Sequence, residues 1–338
     1  MSSIRSYFYA KPSQTTLKTN TAVEIKSAPP SPPPERTKGY PNYYKINYRL
    51  QETWSGDSFF GNFDYYIQPD PTQGFVTYVN EGIAKAKNLT YSNANTAVIR
   101  VDDTTALTRA GGRDSIRLVS KKAYNGGLFL FDVAHVPYGC GTWPAIWMTS
   151  ISNWPTQGEI DIMETVNQGG PNQMTLHTSS GCSMGGQRNQ TGTTLTTDCY
   201  VRSDSNGSCA VMGSATSAGQ AFNGVGGGVY ALEWRSEGIR MWFFERSNIP
   251  ANIGSPDPSS WPAASADFPN TNCDIGSHFN DLHIITNIAL CGVWAGAADV
   301  YNGQDHCPSS CVNYVTANAS AFEQAYFTYN SFKIFAAS

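Results

Sequence analysis

The sequence predicts an all-β fold built as one large sandwich or barrel. Three observations carry that reading. Short runs of β-branched and aromatic residues recur, and Gly, Pro and Asn interrupt them every 8 to 15 residues or so. Amphipathic helical periodicity sustained over more than ten residues is missing almost everywhere. Glycine and aromatics are plentiful, with 31 Gly, 18 Tyr, 16 Phe and 8 Trp in 338 residues. From residue 40 onward the composition is uniform, with no internal repeat and no second linker, so one domain is expected over 40–338.

The candidate strands follow in order: Gly74 to Val79, Ala97 to Val101, Ser115 to Ser120, Gly127 to Val133, Glu159 to Thr165, Met174 to Thr178 and Phe327 to Phe335. Between them, Val229 to Arg235 and Ile239 to Glu245 flank Ser236-Glu237-Gly238 and read as a hairpin. Residues 1–39 differ from the rest. They are polar, and Pro29, Pro30, Pro32, Pro33 and Pro34 impose extended polyproline, so this segment reads as a tail or stiff spacer.

Composition narrows the function classes. Hydrophobic residues make up 40% of the chain, enough for a large core. Charged residues are 14%, against roughly 25% in an average globular protein. The net charge of -4 implies no basic face, so nucleic acid is not an expected partner. The most apolar long stretch, Ile284 to Val300, contains Thr286, Asn287 and several glycines, and no membrane span is expected. A monomer is expected.

Eight cysteines and four N-x-S/T sequons, at Asn88, Asn189, Asn206 and Asn318, favour an oxidising compartment, a disulfide framework and secretion. Met1 to Ala10 has no apolar core of the kind a signal peptide needs. Eight cysteines allow about 105 pairings, and spacing does not choose among them. Zinc is the competing use, through Cys273, His278, His283 and Cys291, or His306, Cys307 and Cys311. Neither set has the tight paired spacing of a zinc module.

The chemistry concentrates in Gly158-Glu159-Ile160-Asp161-Ile162-Met163-Glu164. In a regular strand Glu159 and Asp161 share one face, Ile160 and Ile162 the other, and Glu164 breaks the parity. One extra residue at Ile162 or Met163, a β-bulge, returns Glu164 to the acidic face. The two glutamates are then four strand steps apart, about 13 Å at about 3.3 Å per residue. Side chains leaning toward each other close that to about 5–6 Å, the separation of a retaining glycosidase pair. Asp161 lies between them, where its charge or a shared proton sets their pKa values apart. Trp143, Trp147 and Trp154 lie just upstream, and tryptophan faces suit the C–H faces of sugar rings.

Gly141-Thr142-Trp143-Pro144-Ala145-Ile146-Trp147, Trp154-Pro155 and the acidic heptapeptide together resemble the signature of glycoside hydrolase family 16. The E-x-D-x-x-E form, with its extra residue, is similar to the laminarinase-type branch. Agreement with fungal members extends through Phe59 to Asp64, Asp70 to Val76, Gly112 to Leu118, Tyr230 to Trp234, Cys273 to Phe279 and Cys291 to Gly296, within roughly residues 40–336. The resemblance implies a β-jelly-roll of two curved antiparallel sheets with a glycan cleft on the concave face. It implies hydrolysis of internal β-1,3 and mixed β-1,3/1,4 glucan bonds with retention, with β-glucan as the partner.

By position, Glu159 corresponds to the nucleophile, Glu164 to the general acid/base and Asp161 to the assisting aspartate. His177 corresponds to the active-site histidine of the neighbouring strand, and Trp147, Trp154, Arg117, Trp294, Trp143 and Asn80 to substrate contacts. Val293 departs from the pattern, standing where many relatives carry Asp. No cofactor is implied, and a calcium ion on the convex side would be structural, as in some relatives. A transglycosylase or a non-catalytic glucan-binding protein on the same scaffold are the alternatives. Gly181-Cys182-Ser183-Met184-Gly185 matches the serine-hydrolase pattern, but the residues after it cannot open the helix that motif needs.

Overall fold

The computed structural model describes residues 39–107, 111–202 and 207–338. The proline-rich segment and the Asn206 sequon lie outside the described residues. Two eight-stranded antiparallel sheets face each other. In the outer sheet the strands lie in the order Ala266–Pro269, Gly238–Glu245, Gly228–Arg235, Gly127–His135, Tyr326–Ala337, Ala97–Arg100 and Thr90–Ser92, with Tyr48–Trp54 also paired to Tyr326–Ala337. The second, the cleft sheet, runs Thr193–Thr197, Cys209–Met212, Gln173–His177, Glu159–Glu164, Thr142–Thr149, Leu282–Leu290, Arg117–Tyr124 and Phe63–Tyr65. Chain order and spatial order disagree because the chain crosses repeatedly between the sheets, the β-jelly-roll arrangement.

The main core lies between the sheets. Phe129, Phe131, Tyr230, Leu232 and Trp234 enter it from the outer sheet, and Ile146, Met148, Ile160, Leu176 and Ile284 from the cleft sheet. A second apolar layer covers the far face of the outer sheet. There Leu128, Leu130, Val229, Ala231, Trp242 and Phe244 pack with Trp261 and Ala264. This double burial explains why Gly228–Arg235 is buried at every position and why Val229 to Leu232 has no polar alternation.

The hairpin forms as expected, with Arg235 paired to Gly238 across the turn. The expected strand Ser115 to Ser120 is two strands, Arg113–Ser115 and Arg117–Tyr124. Arg113–Ser115 pairs in parallel with Val76–Tyr78, and Arg117–Tyr124 joins the cleft sheet. The longest α-helix among the described residues, Cys311–Ala317, has seven residues, too few to show a period in the sequence. Among the described residues no helix is long and apolar enough to cross a membrane.

All eight cysteines are in disulfides: Cys140–Cys307, Cys182–Cys273, Cys199–Cys209 and Cys291–Cys311. The zinc reading is thereby corrected, since no thiolate is left to bind metal. His278 and His283 instead bond backbone oxygens, of Asp274 and Ser180 and of Ser120 respectively. Ser183 lies on a two-residue strand paired with Asn272, with no helix following, so it is no nucleophile elbow.

Candidate active site

The acidic strand carries the bulge its parity requires. Glu159, Ile160 and Asp161 pair with Thr149, Met148 and Trp147, and the register then jumps so that Met163 pairs with Ile146 and Glu164 with Ala145. Ile162 is the extra residue. Ile160, Ile162 and Met163 are all buried, and Glu159, Asp161 and Glu164 line one cavity. Gly158 opens the strand at φ +82, where an added Cβ would lie 2.4 Å from the His278 carbonyl oxygen. Only glycine fits there.

Asn172 holds the bulge open. Its side-chain N–H donates to the Ile162 carbonyl at 2.9 Å, and its side-chain oxygen accepts from the Glu164 N–H at 2.8 Å. The Asn172 backbone N–H donates in turn to Ser217 Oγ at 2.9 Å. These are the groups a bulge removes from the strand ladder, so one buried amide replaces the lost pairing. Asn172→Ala is expected to lower kcat on glucan by about 10-fold or more with KM little changed, because Glu164 loses its fixed position. Steady-state kinetics and circular dichroism together check this.

Each carboxylate has a distinct partner. Trp154 Nε1 donates to Glu159 Oε2 at 2.6 Å, and Trp143 Nε1 donates to Glu164 Oε1 at 2.7 Å. His177 Nδ1 lies 3.0 Å from the Gly207 carbonyl, which can only accept, so Nδ1 carries a proton. Its Nε2 faces Asp161 Oδ2 at 3.4 Å and Glu159 Oε1 at 4.0 Å. Burial pushes all three carboxyl groups up to about 8, with the Asp161 charge adding to the shift at Glu159 and Glu164. The Trp154 N–H and His177 oppose it at Glu159, as do the Trp143 N–H and His177 at Glu164.

Two cavities form one groove. The first, of about 280 Å³, is lined by Trp143, Trp147, Trp294, Arg117 and His177 together with the three carboxylates. The second, of about 300 Å³, is lined by Tyr65, Tyr66 and Trp154, and shares Pro71, Arg117, Trp147 and Glu159 with the first. The Arg117 guanidinium lies 4.4 Å from the Tyr66 ring centre and 5.0 Å from that of Trp147. Trp147 Nε1 is anchored on Asn287 Oδ1 at 2.7 Å, and Trp143 meets Trp294 edge to face at 5.6 Å. The apolar Val293 forms part of the wall beside Trp294, its N–H bonded to the Thr72 carbonyl.

Asn80 is the residue not brought to the groove. Its side chain caps a short helix, accepting from the Ile83 N–H at 3.0 Å, and it lines neither cavity. Asn172, Asn287, Tyr66 and Gln173 belong to the site or its support and carry no signal in the sequence. Their contacts arise between strands distant in the chain.

Glu159, Asp161 and His177 place one ligand atom each within 4.8 Å of one another, the one such metal-capable trio among the described residues. It does not suit calcium, which takes six to eight oxygen ligands, and it lies in the groove.

The profile of the XgeA-like catalytic domain of glycoside hydrolase family 16 matches residues 63–335. A probable glycosidase of Schizosaccharomyces pombe is 43% identical over 88% of this chain and 71% of its own length. A probable endo-1,3(4)-beta-glucanase of Aspergillus clavatus is 41% identical over 86% of this chain, which spans 46% of that relative's length. Laminarinase 16A from Phanerochaete chrysosporium, solved with two beta-glucans in its donor and acceptor sites, is similar over 86% of this chain and all of its own. There the identity is 44% and the TM-score 0.83. With the profile covering most of the chain and both sheets, the chain belongs to glycoside hydrolase family 16, in its XgeA-like branch.

Proposed function

We propose that the chain is an endo-acting, retaining β-glucanase that hydrolyses internal β-1,3 and mixed β-1,3/1,4 glucosidic bonds. The observation that carries this is the bulge at Ile162, which brings Glu159, Asp161 and Glu164 onto one wall of a tryptophan-lined groove. The groove's two connected cavities suit internal attack on a chain rather than removal of a terminal sugar. The laminarinase bound to glucan and the Aspergillus glucanase support the substrate class.

In the proposed reaction Glu159 attacks the anomeric carbon as Glu164 protonates the leaving oxygen, and a covalent glycosyl-enzyme forms. Glu164, now a carboxylate, takes a proton from water, which releases the sugar with net retention. Three carboxyl groups this close together cannot all hold a charge. The charge they do hold rests on the Glu159–Asp161 pair, which His177 faces at 4.0 and 3.4 Å, leaving Glu164 protonated at the start.

Chromatography of the products from laminarin, barley β-glucan and carboxymethylcellulose tests the reading. Short oligosaccharides from the first two, and none from cellulose, are expected. Products longer than the starting oligosaccharide would make the chain a transglycosylase, and binding without product would make it a glucan-binding protein. Activity is expected to survive exhaustive chelation within about 2-fold, since the carboxylates act directly on the sugar; a loss restored by added metal would overturn this. Four disulfides fit an oxidising, extracellular site of action.

A further inference from the structure

A third cavity, polar and of about 270 Å³, shares no lining residue with the groove. Tyr40, Tyr43, Arg240, Trp261 and Asn189 line it. Arg240 precedes Trp242 and Phe244 by even steps on one strand and shares their face, the outer face of the outer sheet. The groove opens from the other sheet, so the whole sandwich separates the two.

Asn189 begins the sequon Asn189-Gln190-Thr191. Its backbone is fixed while its side chain is exposed. The Asn189 N–H donates to the fully buried Asp267 at 2.9 Å, Gln190 Oε1 accepts from the Asp267 N–H at 3.1 Å, and the Thr191 N–H donates to the Ala264 carbonyl at 2.8 Å. The Asp267 carboxylate also receives the hydroxyls of Tyr40 at 2.7 Å and Tyr43 at 2.9 Å. One aspartate thus aligns the acceptor asparagine with two of the aromatic rings beside it.

The other described sequons lack this arrangement. The Asn318 side-chain N–H donates to the Tyr314 carbonyl at the end of a helix. Asn88 occupies a turn at φ +56 and lines none of the three cavities described.

We propose that Asn189 carries an N-linked glycan whose first N-acetylglucosamine occupies this cavity. The sugar's C–H face would lie against the Tyr40 and Trp261 rings, with its polar groups toward Arg240. During transfer the amide nitrogen of Asn189 bonds to the sugar's anomeric carbon and gives up one proton as the lipid-linked pyrophosphate leaves, so the glycosylating compartment supplies both the donor and the base. Seated there, the sugar ties residues 39–43 to the segment that carries Trp261. The inference rests on export through such a compartment, which the test imposes with an added leader.

The full chain is secreted from yeast and deglycosylated with peptide N-glycosidase in 18O-water. A labelled aspartate at position 189 is expected, and an unmodified Asn189 in protein glycosylated elsewhere overturns the proposal. Trimming by an endoglycosidase that leaves a single N-acetylglucosamine is expected to preserve Tm. Complete removal, or Asn189→Gln, is expected to lower Tm by about 2 °C or more, while Asn88→Gln leaves it unchanged. Equal Tm for the glycosylated chain and Asn189→Gln would show that no sugar is seated. Laminari-oligosaccharide protecting Tyr40 from modification in the unglycosylated chain would assign the cavity to glucan instead, and would equally overturn the glycan assignment.

Discussion

Glu159→Ala is expected to lower turnover of laminarin by at least ~10⁴-fold while leaving the fold intact. Glu159 lines the groove and not the core between the sheets, so its truncation leaves the core packing unchanged. The discriminating readout is chemical rescue. Azide fits the space vacated by the carboxylate and attacks an activated β-glucoside from the face Glu159 occupied. A single displacement inverts the anomeric centre, so the rescued product is the α-glucosyl azide. A β-azide, or undiminished hydrolysis, would remove Glu159 from the nucleophile's role.

Glu164→Gln has the second largest expected effect and a different signature. Without an acid, natural glucans, whose leaving group is a sugar hydroxyl, slow by about 10²–10⁴-fold. Aryl glucosides with good leaving groups still glycosylate Glu159, and the intermediate accumulates because no base activates water. Azide then attacks the glycosyl-enzyme, and two displacements give the β-azide. Equal losses on both substrate types would contradict the acid/base role.

The pH dependence follows from the same burial. Loss of water raises the Glu164 pKa from 4.5 to about 8, so wild-type activity should fall as pH rises through about 8, and the Glu164→Gln variant should lack that limb. The sign for stability is fixed by linkage. A carboxyl whose pKa is raised on folding contributes stability that is complete below its unfolded value and is lost as pH rises through its folded value. Between about pH 4.5 and 8, therefore, Glu164 destabilises the fold progressively, and Glu164→Gln should gain Tm over wild type across that window. Thermal denaturation at pH 5 and pH 8 measures it.

The acidic strand was legible because side-chain alternation is a local property. Glu159, Asp161 and Glu164 cannot share a face without an extra residue, so parity alone demands the bulge. Parity does not choose between Ile162 and Met163, both apolar and both buried. That choice appears where Asn172, held by Ser217, bonds the Ile162 carbonyl and the Glu164 N–H. The sequence surrounding Asn172 contains no motif, because the contact depends on where Ser217 arrives. Asn80 shows the converse: a polar residue whose position suggested substrate is used by the next helix as its cap.

By itself the sequence determined the all-β class, the acidic strand with its need for a bulge, and the aromatic character of the groove. Each depends on composition or on periodicity within a few residues. Only the tertiary structure decided the four cysteine pairs, the anchoring of Trp147 by Asn287, and the double burial of the central hairpin. Those are meetings of segments as far as 167 residues apart, as at Cys140 and Cys307. The physical reason is that crossing between two sheets sets which distant strands become neighbours, and no local pattern encodes that order.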